Sequence, residues 1–211
     1  MNDEHLSSRP RVELAKLSFE HPIPQAVRTH GKALDPGMLQ PGDLILVSSN
    51  KPNVVGRLIR HHQSKLFPPE HAKWQHAAVS GGRFELCEAT ISGVRSCEYW
   101  DYMTGAYEIK IRRLSNATAD ERSKVAYFAA TNVRSAYSLL NALNMRAVFG
   151  SGNGWQRPII KTKGVVCSQL YFEACMRVGY LLSNFPPENV SPAHLSMTPL
   201  MDDVPLRWVS V

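Results

Sequence analysis

The sequence predicts an α+β fold, in which a small antiparallel sheet packs against helices. Short apolar runs are separated by turn residues, which is typical of strands joined as hairpins. Two other segments carry helix signals: Thr118-Ala119-Asp120-Glu121 is a capping box, and apolar residues recur at helical spacing after Cys167. Antiparallel strands flanked by helices of this kind form an α+β layout.

The elements are predicted from local patterns. Residues 107–112 alternate strictly between apolar and polar side chains, which predicts a half-exposed strand. The helix that begins at Cys167 is predicted to be amphipathic and to stop at Gly179, since glycine commonly follows a helix end. In chain order we expect a strand at 43–48, a short basic helix near 54–65, a Pro68-Pro69 loop, strands at 75–79, 84–88 and 107–112, a helix from 118 to about 133, and the helix at Cys167.

Length and composition predict a single domain. The chain has 211 residues and is 44% hydrophobic, which is ample for one core. Residues 1–37 mix charges and prolines and are interpreted as an N-terminal arm, whereas residues 38–211 form the domain. The longest apolar runs fall short of the roughly 18 residues that a membrane span needs, and the N-terminus lacks a signal-peptide pattern. We therefore expect a soluble protein that is cytoplasmic, or exported by a specialised secretion system.

Cysteine usage and net charge limit the cellular compartments and binding partners that the sequence predicts. The four cysteines include no Cys-x-x-Cys pair, so we expect free thiols in a reducing compartment. The net charge of +6 is dispersed, and it indicates either an anionic partner or solubility, without the aromatic-basic patch typical of nucleic-acid binding. His61, His62 and His71 lack metal-ligand spacing, so neither a metal nor another cofactor is predicted.

Cys167 stands at a position that would activate a thiol. It follows the apolar run Gly164-Val165-Val166 and opens the predicted helix, where unpaired backbone N–H groups and the helix dipole favour a thiolate. The backbone N–H groups of Cys167 and Ser168 would also stabilise an oxyanion. The alternative is that Cys167 is a small buried apolar residue, as most free cysteines are.

His76 and Glu88 supply the partners that a nucleophilic thiol needs. They lie on the two predicted strands of a hairpin, and a three-residue loop at 81–83, or its bulged equivalent, would place His76 directly opposite Glu88. A two-residue turn would instead bring Cys87 opposite His76 and send Glu88 to the other face. We predict the first register, in which Glu88 orients the imidazole and His76 accepts the thiol proton. Separately, each residue could be an ordinary strand residue.

Several separated segments resemble the circularly permuted branch of the NlpC-like papain superfamily, the YiiX- and YaeF-like group related to lecithin:retinol acyltransferase. Together they cover roughly residues 38–200. The segments that resemble this group are Gln40–Val47, Gln75–Val79, Glu85–Ala89 with Ser92–Val94, Ala136–Asn141, Val166–Leu170 and Ser191–Ala193.

The resemblance implies a permuted papain-like fold with Cys167 as nucleophile, His76 as base and Glu88 as the polar orienting residue. Asp43 and Tyr137 are candidate substrate-binding residues, although Asp43 could bond nearby backbone and Tyr137 could be a core aromatic. Two departures are evident. Gln169 stands where the family commonly has glutamate, and Val-Cys-Ser-Gln does not match the Asn-Cys-Glu-His motif of the retinol acyltransferase branch.

The function expected from these residues is cysteine-dependent amide hydrolysis through a thioester intermediate. The substrate would be a peptide or isopeptide, with bacterial cell-wall peptides (peptidoglycan) as one target. Two alternatives stay open: acyl transfer to or from lipids by the same three residues, or a non-catalytic binding module in which His76 lies more than about 6 Å from Cys167. The sequence leaves the oligomeric state open.

Overall fold

The computed structural model describes residues 23–82, 84–133 and 166–211. Its helices are α1 (Gln25–His30), α2 (Val54–Gln63), α3 (Pro69–Ala72), α4 (Ala119–Thr131), α5 (Cys167–Met176) and α6 (Pro192–Met197), with 3₁₀ turns at Pro36–Met38, Tyr99–Tyr102 and Pro187–Asn189. Its strands are β1 (Lys32–Leu34), β2 (Leu44–Ser49), β3 (His76–Gly82), β4 (Glu85–Thr90), β5 (Gly93–Glu98), β6 (Tyr107–Leu114), β7 (Met201–Val204) and β8 (Trp208–Ser210).

Six of these strands form one antiparallel sheet in the order β5-β4-β3-β2-β6-β7, and β1 pairs with β8 in a separate two-stranded sheet. The predicted α+β class is confirmed. β2 lies near the middle of the large sheet and begins with four consecutive apolar residues, Leu44–Val47, as expected for a strand that is buried on both faces.

Each face of the large sheet is covered by its own hydrophobic cluster. Leu44 and Leu46 belong to one cluster, whereas Ile45 and Val47 belong to the other, because successive strand residues point to opposite faces. The first cluster takes in residues of α4 and α5, and the second takes in the N-terminal segment and the 3₁₀ turn at Tyr99–Tyr102. Burying each large apolar side chain in these layers stabilises the fold by roughly 1.5–3 kcal/mol.

Helix α5 differs from the prediction in how deeply it is buried. An amphipathic helix was expected, but eight of its ten residues are buried, because α5 packs against the sheet and α4 together. The predicted stop is seen. Gly179 has a positive φ of 90°, and the N–H of Tyr180 bonds to the carbonyl of Cys175, which is a glycine-based helix end.

The start of α5 is held to the start of β2. The Tyr171 hydroxyl on α5 donates a hydrogen bond of 3.1 Å to the carbonyl of Gly42, in the turn before β2. Gly42 has a φ of 79°, and a Cβ there would overlap the backbone of Arg122 in α4. This close approach requires glycine, and it holds the turn before β2 against α4.

Other predicted elements are confirmed with small changes. The capping box at Thr118 and Glu121 begins α4 with both reciprocal bonds, and the basic helix occupies Val54–Gln63. The predicted Pro68-Pro69 loop is wrong in part, since Pro69 opens the short helix α3, as proline often does at a first helical position. Within the segment interpreted as an arm, residues 23–37 contain α1 and β1 and bury Val27 and Leu34.

Candidate active site

The three residues singled out by the sequence meet at one end of the large sheet. His76 is the first residue of β3, Glu88 lies in β4, and Cys167 is the first residue of α5. His76 Nε2 lies 2.6 Å from Glu88 Oε2, and the same imidazole forms a side-chain hydrogen bond with Cys167. Because Nε2 is engaged by Glu88, Nδ1 is the ring nitrogen left for the sulfur.

The strand register differs from the predicted one by two residues. Glu88 lies opposite Ala78 rather than opposite His76, and the pairing is irregular between Ser80 and Gly82. The predicted pairing is therefore wrong, but its consequence is seen. A shift of two residues keeps a side chain on the same face, so Glu88 becomes a diagonal neighbour of His76 and still reaches its ring.

The Cys167 sulfur sits where a thiolate is stabilised. Residue Val166 before it is extended, so the chain turns into α5 at Cys167 itself. Burial raises the pKa of the Cys167 thiol, but the His76 charge and hydrogen bond, together with the backbone N–H groups of Ala77 and Ser168, outweigh burial and lower it. The arrangement favours the thiolate.

His76 is correspondingly stabilised as the imidazolium. Its side chain is only 22% exposed, and burial lowers the pKa of the ring, but the charge of Cys167 and the hydrogen bonds to Cys167 and Glu88 raise it to about 10. The two titrations are coupled, because each charge stabilises the other. The two shifts together favour the thiolate–imidazolium form of the pair.

Glu88 is a fully buried carboxylate with several donors. Arg95 donates to Glu88 Oε1 from Nε at 2.8 Å and from Nη2 at 2.7 Å, and the Tyr102 hydroxyl donates to Oε2 beside His76. Burial raises the pKa of Glu88, but the bonds and charge of His76, followed by the bonds from Tyr102 and Arg95, lower it to about 2. Glu88 is thus ionised throughout the physiological range.

Arg95 and Tyr102 are site residues that the sequence reasoning missed. Glu88 and Arg95 lie directly opposite each other on β4 and β5, at equal distances from the tight turn at Ile91-Ser92. Symmetry about that turn was a signal that would have predicted an oppositely charged cross-strand pair. Tyr102 comes from the 3₁₀ turn after β5, and no pattern in the sequence indicates its direction.

A cavity of about 360 Å³ opens over these groups. One wall comes from α2 and the segment before it, and another from β4, β5 and their connecting turn. Lys51 and Arg95 supply positive charge, while Val55, Ile59 and Ile91 supply apolar surface. The other described lining residues are Val47, Ser49, Pro52, Asn53, Gly56, Gln75, His76, Glu88, Ala89, Thr90, Tyr102, Tyr107 and Cys167.

The two candidate substrate-binding residues, Asp43 and Tyr137, are not part of the site as described. Asp43 is buried, receives two bonds of 2.7 Å from Arg113 and one of 2.8 Å from the N–H of Gln40, and is absent from the described cavity lining. Its position beyond the far end of β2, opposite Ser80, separates it from His76, which pairs with Val47. The backbone-bonding alternative for Asp43 is the one seen. Tyr137 lies outside the described residues.

The non-catalytic alternative predicts that His76 lies beyond hydrogen-bond reach of Cys167. The described site does not show that separation. Within the described ranges, no three His, Cys, Asp or Glu side chains are grouped as metal ligands would be.

No protein-family model matches the chain, and a search of curated proteins returned no match. Among the helices of the described segments, none has the length and apolar character needed to cross a bilayer.

Proposed function

We propose that this protein is a cysteine-dependent amide hydrolase with Cys167 as nucleophile, His76 as general acid and base, and Glu88 as the orienting carboxylate. The observation that carries this proposal is the continuous hydrogen-bonded series from a thiol at a helix start, through an imidazole, to a buried, ionised carboxylate. A nucleophile, a base and a group that orients the base are the parts that covalent acyl transfer requires.

The first half of the reaction forms a thioester. The Cys167 thiolate attacks the substrate carbonyl carbon, and the carbonyl electrons move onto oxygen. Backbone N–H groups at the start of α5, those of Cys167 and Ser168, would stabilise that oxyanion. As the intermediate collapses, the C–N bond breaks and His76 Nδ1 gives its proton to the leaving amine.

The second half restores the enzyme. Neutral His76 takes a proton from water, and the resulting hydroxide attacks the thioester carbonyl. Collapse breaks the C–S bond, releases the carboxylic acid and returns the thiolate beside the imidazolium. Glu88 holds the ring orientation in both halves and stabilises its positive charge.

The order of these residues along the chain supports a circularly permuted papain-like, NlpC-like domain. Papain-type enzymes have the cysteine near the start and the histidine well downstream. Here the histidine strand comes first and the cysteine helix comes about 90 residues later, while the roles are the same. The antiparallel sheet covered by the cysteine helix is compatible with that relationship.

The substrate that we favour is a peptide or isopeptide, including bacterial cell-wall peptides. A second candidate, acyl transfer from lipids, is favoured by one observation: Val55, Ile59 and Ile91 give the cavity an apolar wall that would accommodate an acyl chain. Both candidates proceed through the same acyl-Cys167 intermediate.

The intermediate gives the test of the proposal. Incubation with p-nitrophenyl acetate should produce a burst of p-nitrophenol, equal to one equivalent of enzyme, and an acetyl group on the Cys167 peptide by mass spectrometry. Slow hydrolysis after the burst would be set by thioester breakdown. Absence of both the burst and the adduct, with the protein folded, would contradict the proposal.

The same measurement separates the substrate classes. Incubation with muropeptides should release a shortened peptide if the amide reading is correct. Incubation with phospholipid vesicles should leave a fatty acyl group on Cys167 if the lipid reading is correct, and the muropeptides would then stay intact.

A further inference from the structure

The ion pair between Arg95 and Glu88 differs from an ordinary surface salt bridge. Arg95 lies on β5, an edge strand of the large sheet, and directs two nitrogens onto one oxygen of a carboxylate that is completely buried. Its own side chain is 53% exposed and lines the cavity. An exposed cation is therefore attached to the innermost member of the catalytic series.

We propose that Arg95 is a positioning residue that keeps Glu88 ionised and thereby sets the pH range over which the Cys167–His76 pair is reactive. This inference rests on the proposed function, since it assigns Arg95 a role in the same site. Arg95 acts through its contact with Glu88 and through its positive charge in the site, and it has no direct contact with the reacting sulfur in this assignment.

The charges around Glu88 explain why Arg95 would keep this carboxylate ionised. The groups that face or influence it are His76 and Cys167 from β3 and α5, Arg95 and Cys97 from β5, Cys87 from β4, and Asp101 and Tyr102 from the 3₁₀ turn. Among these described groups, Arg95 is the one cation that does not titrate in the working range. It offsets the cost of burying the carboxylate at every pH.

Removing the positive charge of Arg95 should change the pKa values of the site in one direction. A neutral side chain at position 95 leaves the site more negative, and this favours the protonated form of every nearby acid and base. The pKa of Cys167 should rise, because its thiolate loses a compensating charge. The pKa of Glu88 should rise for the same reason, and that of His76 should rise as well. The whole reactivity profile should therefore move to higher pH.

The test measures the rate of Cys167 alkylation by iodoacetamide against pH, without any substrate. Arg95→Gln should shift the acid limb upward by about one pH unit, the lower end of what a neighbouring charge produces, because Arg95 is half exposed. Arg95→Lys keeps the charge but loses the two-nitrogen contact, and it should shift the limb by less. Arg57→Gln, an exposed arginine on α2 outside the described cavity lining, is the matched control and should shift nothing.

The outcomes distinguish this inference from the proposed function. A reactive wild-type Cys167 with the same profile in Arg95→Gln, at unchanged thermal stability, would overturn the role of Arg95 alone. A wild-type Cys167 that behaves as an ordinary thiol would overturn both. If Arg95→Gln does not fold, the neutral variant Arg95→Met decides: an upward shift supports the inference, and an unchanged profile overturns it.

Discussion

Replacing Cys167 with alanine is expected to abolish the ester burst and to lower any turnover by at least about 10⁴-fold, since no other group can form the thioester. The protein should remain folded. The substitution removes one heavy atom from a buried position and also removes a buried charge, so the core at the start of α5 keeps its other contacts.

Burst amplitude, the mass of the Cys167 peptide and circular dichroism check this prediction together. Cys167→Ser is the matched control, because it keeps the shape of the site but supplies a much weaker nucleophile, and it should lose the burst as well. A burst of undiminished size in either variant would show that the acyl group is carried by another residue.

Replacing His76 with glutamine is expected to give the second largest loss. Without the imidazolium, burial raises the pKa of Cys167, so the thiolate largely disappears near neutral pH. The leaving amine also loses its proton donor. We expect turnover to fall by roughly 10²–10⁴-fold, the usual contribution of general acid–base catalysis, with a parallel loss of alkylation rate.

Glutamine is chosen because its amide can still donate to Glu88 and leaves that buried carboxylate paired. The matched control is His61→Gln, an exposed histidine on α2 outside the described cavity lining, which should leave both rates unchanged. A His76→Gln variant with wild-type alkylation kinetics would contradict the ion pair.

Much of the site could be predicted because its signals are local. The apolar run that ends at Cys167, followed by helical spacing, places the sulfur at a helix start whatever surrounds it. The predicted hairpin places His76 and Glu88 on the same face of the sheet. A shift of two residues in the register leaves both side chains on that face. Local patterns thus determined which face each side chain occupies.

The features that were missed depend on tertiary contacts. The register is set at a bulge where Gly82 adopts a φ of 93° against the ring of Pro41, a contact that no short window of sequence contains. Asp43 is engaged by Arg113, which is 70 positions away. Eight of the ten residues of α5 are buried because the helix packs against both the sheet and α4, which are distant from it in sequence.

The pH dependence of alkylation in the wild-type protein tests the central claim most directly. Iodoacetamide rates measured from about pH 4 to about pH 10, with peptide mass spectrometry, report the thiolate fraction of each cysteine separately. Cys87, Cys97 and Cys175 are internal references, because burial raises the pKa of each of them. We predict that Cys167 alone reacts rapidly at neutral pH and keeps its rate well into the acid range. The alkylation rate of a free thiol falls about tenfold per pH unit below the ordinary cysteine pKa. The same fall in the Cys167 rate would contradict the thiolate–imidazolium pair.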